Sequence, residues 1–125
     1  MLHVHSVNGV AVAAQEAGLL PLSQHSTLVL SSHLGAKRFL MLRNHGLLTI
    51  GRTVAEAFVA MYFFETSCMI QMRAAGGGQP LRCIGGEVIE GSVKSWEAVT
   101  HGAGAGLAWP ALLRRLDREN PGYRD

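Results

Sequence analysis

The stretch TVAEAFVAMYFFETSCMIQMRAAGGG, residues 53 to 78, constrains the fold more than any other part of the chain. Thr53 and Glu56 form a T-x-x-E capping box, in which a hydroxyl and a carboxylate satisfy the backbone N–H groups that open a helix. Val54, Phe58, Met61, Glu65, Met69 and Met72 then recur at helical spacing, and further apolar positions nearly surround that stripe. The glycines at 76 to 78 end it. A helix with so little polar surface is expected to be buried on most of its faces. Met61, Met69 and Met72 read as core rather than as ligands, and Cys68 as a small buried apolar residue.

Around this helix the pattern changes period. LHVHS, residues 2 to 6, alternates apolar and polar, the signature of a half-buried strand. Ser6 or Asn8 can then cap a helix over the alanine-rich GVAVAAQEAG, with Gly18 as its C-terminal cap. LLPLSQHS follows as irregular chain, broken by Pro21. FLML and LLTI are two short apolar runs separated by RNHG, which predicts two strands joined by a tight bend with His45 inside it. Beyond Pro80 the pattern weakens. A short helix is expected near Val93 to Val99, and WPALLRRLDRENPGY predicts a terminal amphipathic helix stopped by Pro121. Residues 1–79 thus read as the patterned domain and 80–125 as an extension with short helices.

At 125 residues the chain is long enough for one domain with a real core. A net charge of +2 with scattered basic residues is too weak a footprint for nucleic acid. The longest apolar run, Ala57 to Phe64, is far short of a membrane span. The cysteines, Cys68 and Cys83, have no metal-site spacing, and no disulfide is expected between them. With no signal-peptide pattern at the start, the expected setting is soluble and cytoplasmic. Only 16% of residues are charged, so apolar surface is expected to be covered by a second subunit.

Six histidines carry the candidate chemistry. On a strand, positions i and i+2 share a face, so His3 and His5 stand side by side. A catalytic zinc commonly takes three protein ligands and leaves a fourth position for water or substrate. His45, fixed in a tight turn at a sheet edge, is suited to be the third. The competing reading makes His3 and His5 exposed strand residues and His45 a polar turn residue. His25 either lines a pocket or is an exposed loop histidine, and His33 and His101 read as surface. Glu56 reads as a helix cap. Glu65, mid-helix among aromatics, either holds a ligand histidine from behind or pairs with an arginine or water.

HVHSVNGVAVAAQEAGLLPLSQHS, followed by MLRNHGLLTIGRTVAEAFVAMYFFETSCMIQM, resembles the carboxyl part of the class II aldolase and adducin family over roughly residues 2 to 78. The closing NPGYRD is also similar to the tail of bacterial members. The resemblance implies an α/β fold, a three-layer αβα sandwich around a mainly antiparallel sheet, here truncated at the amino end. It implies a divalent metal, usually Zn2+, held by His3, His5 and His45. By resemblance the reaction is of the aldehyde-lyase type: the metal grips a small sugar phosphate or related hydroxy-carbonyl compound and stabilises an enediolate. Family members supply an acid/base carboxylate and phosphate-binding loops upstream of the H-x-H pair. This sequence starts two residues before that pair, so the resemblance implies a fragment with no catalytic carboxylate assigned. It also implies homo-oligomers, commonly tetramers. The alternative within the family is a non-catalytic, adducin-like self-association domain.

Overall fold

The computed structural model describes residues 1–31, 38–100 and 104–124. Three strands, β1 (Leu2–Val4), β2 (Phe39–Leu42) and β3 (Gly46–Thr49), form an antiparallel sheet in the order β1-β3-β2. The register places Val4, Leu47 and Met41 in one row across the sheet, and His3, Leu48 and Leu40 in the next. Because side chains alternate between faces, these rows point to opposite sides. The Leu47 side packs into the core with Val12, Val29, Met61, Phe64 and Cys68. The other side carries the exposed His3, and Leu40 there is 51% exposed.

Helix α1 (Val7–Ala13) and α2 (Gln24–Ser31) precede the hairpin, and α3 (Val54–Gly76), α4 (Gly86–Thr100) and α5 (Ala105–Glu119) follow it, with a 3-10 turn at Pro121–Arg124. The chain therefore has the α/β class and the antiparallel sheet that the resemblance implies. None of the described helices is long and apolar enough to cross a membrane.

Helix α3 starts as predicted, with the Thr53 hydroxyl accepting from the Glu56 N–H at 3.1 Å. The second half of the capping box differs. The Glu56 carboxylate accepts from the Arg52 N–H at 3.0 Å and pairs with the guanidinium groups of Arg52 and Arg38. The buried stripe is also rotated from the predicted one: Ala57, Ala60, Met61, Phe64, Cys68 and Gln71 face inward. Val54 and Tyr62 are well exposed, and Phe58 is 40% exposed although Trp109 of α5 meets it edge-on at 5.5 Å. Alanines at 57 and 60 let α3 approach the sheet closely. The large side chains on the opposite side then exceed what α5 alone can cover. Burying a side chain the size of Phe64 or Met61 contributes about 1.5–3 kcal/mol, so this stripe holds α3 to the sheet.

Several boundaries move. Helix α1 stops at Ala13, and Gly18 instead supplies a turn with φ of 62°. The supposedly irregular SQHS opens α2, whose Ser26 N–H is accepted by the Ser23 hydroxyl at 3.2 Å. Helix α4 spans Gly86–Thr100 rather than a few residues near Val93, and is tied to α2 by Ser92 donating to Thr27 at 2.8 Å. Helix α5 begins at Ala105, four residues before Trp109, and tolerates Pro110 near its start, where only the bond to Gly106 is lost. It ends at Glu119 ahead of Pro121, as predicted.

Candidate metal centre

The sheet brings together two segments that are 40 residues apart in sequence. His3 lies within β1, and His5 follows the strand's last paired residue, Val4, on the same face. His45 sits in the bend between β2 and β3, where its N–H donates to the Leu42 carbonyl at 3.0 Å. Asn44, just before it, has φ of 54°, a left-handed conformation that Asn tolerates better than most residues. The Asn44 N–H donates to the carbonyl of Ala13 at 3.1 Å, which pins the bend to the end of α1.

Gly46 permits the closest approach in the site. A Cβ at this position would lie 2.3 Å from the Val4 carbonyl oxygen and 3.1 Å from Cδ2 of His5. With hydrogen alone, the end of β1 can cross β3 and lay the His5 ring beside His45. No feature of RNHG as a turn signal announces this. The requirement comes from a strand far away in sequence.

The three imidazoles converge. Ring centroids are 4.7 Å apart for His3 and His5, 5.1 Å for His3 and His45, and 4.4 Å for His5 and His45. The Nε2 atoms of His5 and His45 are 3.1 Å apart. One nitrogen from each ring lies within 4.8 Å of the others, and all three residues are exposed. Ligands bonded at about 2.1 Å in a tetrahedral arrangement sit roughly 3.4 Å from each other, so small rotations of exposed side chains fit the three nitrogens around one ion. Among the described residues no second group of three His, Cys, Asp or Glu side chains comes together this way. Crowding that strips water from the His3 ring, and then the adjacent His5 and His45, hold the His3 pKa below its usual value. The neutral ring is the form that can bind a cation.

Among the described residues, Glu65 neither pairs with an arginine nor touches an imidazole. Its Oε2 accepts a short hydrogen bond from the Ser6 hydroxyl, and its Oε1 accepts from the Asn8 amide at 2.8 Å. Ser6 is also the N-cap of α1, its oxygen accepting from the Gly9 N–H at 3.3 Å. The carboxylate from mid-α3 thus reaches the residue directly after His5, a proximity that sequence separation hid. His25 is half-buried on α2 with its ring 5.4 Å from Phe63, outside the cluster. His33 and His101 lie outside the described residues. Burial, and then the charge of Glu65, push the Cys68 thiol up to about 12.

Comparison with known proteins follows the same lines. The family model of the class II aldolase and adducin N-terminal domain matches residues 26–72. A Pseudomonas aeruginosa protein named after the class 2 aldolases is 42% identical over 148 aligned positions, covering 99% of this chain. The chain belongs to the class II aldolase and adducin family. Alpha-adducin of Rattus norvegicus is 31% identical over 99% of this family member and 21% of the adducin. The crystal structure of an aldolase II superfamily protein from Pseudomonas syringae superposes with a TM-score of 0.83 at 36% identity, over 99% of the chain. The chain spans 57% of the length of the P. aeruginosa relative and 58% of the solved one. An alignment of 148 positions is longer than the 125-residue chain, so the relative also carries residues inside the match that this family member lacks.

Proposed function

We propose that this chain carries the cation-binding part of a class II aldolase-type centre, a metal-dependent aldehyde-lyase acting on small sugar phosphates or related hydroxy-carbonyl compounds. His3, His5 and His45 are its ligands, and three imidazoles suit Zn2+ among divalent ions. The convergence of the three ring nitrogens within 4.8 Å, on an exposed face, is the observation that carries this reading. When bound, the ion supplies Lewis-acid polarisation of a carbonyl or hydroxyl oxygen. The chain's own residues do the rest of the holding. Gly46 and Asn44 set the ring positions, and the lowered pKa of His3 reduces competition from protons.

A proton acceptor is harder to find among the described residues. Both oxygens of Glu65 are engaged by Ser6 and Asn8, and Glu56 is held by two arginines. Missing general acid–base help costs on the order of 100- to 10,000-fold in rate, so these residues alone are expected to bind zinc without efficient cleavage. Two measurements test the reading: zinc uptake lost in His45→Ala, and release of dihydroxyacetone phosphate from several sugar phosphates with zinc supplied. No zinc uptake by the chain would sink it. Turnover near about 1 per second, abolished by His45→Ala, would show instead that the chain completes its own site.

A second reading, a non-catalytic and adducin-like self-association domain, is favoured by the identity to alpha-adducin along nearly the whole chain and by apolar surface on two sides. Val54, Phe58 and Tyr62 form one exposed stripe on α3, and Leu40 and Ile50 are exposed at the sheet, Leu40 in the same row as His3. Homo-oligomers belong to both readings. Light scattering at micromolar concentration should show an assembly larger than the 13.4 kDa chain, and an assembly that takes up no zinc would favour the second. A cytoplasmic setting goes with either.

A further inference from the structure

We infer that Glu65 is a positioning residue for the imidazole centre: from α3 it fixes the backbone that carries His5, and thereby sets how tightly a divalent cation is held. This rests on the metal-centre reading, and the experiment below separates the two.

The paired register of β1 with β3 ends at Val4 and Leu47, so His5 lies just beyond the last paired position. Two things hold it in place. One is the close pass over Gly46, which limits its approach without anchoring it. The other is the next residue, Ser6, whose hydroxyl is bound by Glu65. The same carboxylate binds Asn8 in the first turn of α1, so it gathers the end of β1, the start of α1 and the middle of α3 at one point. Its sequence separation from these two partners is 59 and 57 residues.

A carboxylate is an acceptor on both oxygens, and both partners approach as donors. Among the described residues no salt bridge reaches Glu65, so its half-buried charge is compensated by these donors alone. A glutamine of equal size keeps one acceptor but meets the other partner with an amide donor, so that bond must reverse or break and the charge-assisted pair becomes neutral. Groups that orient ligands from behind typically change metal affinity by about 10- to 100-fold when removed.

The test uses the full chain as wild type, Glu65→Gln, Asn8→Ala and the double variant. Zinc affinity is measured by competition with a chromogenic chelator, well below the thermal midpoint of the metal-free protein. Glu65→Gln should weaken zinc by about 10-fold or more, Asn8→Ala should weaken it too, and the double variant should be weaker by less than the product of the two. In the metal-free protein, the nuclear Overhauser contact between the His5 ring and Gly46 should fade in Glu65→Gln. A lowered midpoint with zinc affinity and ring contact unchanged would mean that Glu65 only stabilises the fold, and the inference fails. A wild type that takes up no zinc, yet loses the ring contact in Glu65→Gln, would overturn the metal-centre reading while leaving the positioning intact.

Discussion

Replacing Gly46 by alanine tests the geometry of the centre most directly. The added methyl would sit 2.3 Å from the Val4 carbonyl oxygen. Carbon–oxygen contacts normally settle near 3.3–3.6 Å, so about 1 Å must be recovered. The obstacle is backbone, which cannot swing aside as a side chain can. β1 must retreat from β3, and His5 goes with it, since its Cδ2 is itself 3.1 Å from the new atom. Overpacking of this kind costs about 1–3 kcal/mol, or roughly 4–12 °C in the thermal midpoint of a domain this size. Ligand geometry tolerates only about 0.5 Å of displacement, so zinc affinity should fall by at least about 10-fold. Gly76→Ala is the control: nothing lies within 4 Å of its Cβ position, and its helical setting predicts unchanged zinc affinity and equal or slightly higher stability. A Gly46→Ala protein with wild-type zinc affinity and midpoint would refute the idea that this close pass builds the site.

Cys83 is exposed while Cys68 is buried with its pKa pushed up to about 12, so a thiol reagent at pH 8 should count one group in the native chain and two in denaturant. His3 has a folded-state pKa below the ordinary imidazole value of 6.5, so the unfolded chain takes up the proton first. The metal-free protein should therefore lose stability as pH falls through that value and be indifferent above it, and His3→Gln should flatten the dependence in chemical unfolding followed from pH 8 to 5. Gln71, buried on α3, donates to the Gln15 side chain at 2.7 Å and the Gly18 carbonyl at 2.9 Å, and accepts from the Leu20 N–H at 2.7 Å. Gln71→Leu strands these groups and should cost about 2–4 kcal/mol in urea unfolding.

The elements that sequence alone reveals are those written in local chemistry. The Thr53 cap, the alternation of LHVHS and the bend at RNHG each depend on neighbours a few residues away, and each stands where the pattern puts it. The histidine pair and His45 were legible for the same reason: a strand and a turn fix where their side chains point. What sequence hides is set by partners distant along the chain. The inward stripe of α3 differs from the one its spacing predicts because apolar residues surround the helix, and only the sheet's position decides which of them it buries. Sequence leaves Glu65 between backing a ligand histidine and meeting an arginine or water, because 59 residues separate it from Ser6, although the two touch. Helix α2 is not written in an apolar period: its cap, Ser23, precedes the polar run Gln24 to Thr27.

The brevity of β1 has a kinetic consequence. The β2–β3 hairpin closes over a bend of three residues and can form from local contacts, whereas β1 reaches it only by closing a loop of about forty residues, among the slower events in folding. Three residues on a sheet edge are also where native structure opens first. Each time β1 peels from β3, His3 and His5 leave His45 together. The residence time of anything shared by the three rings is then bounded by the fraying of one short strand, and an ion bridging them would in turn act as the clasp that keeps that strand closed.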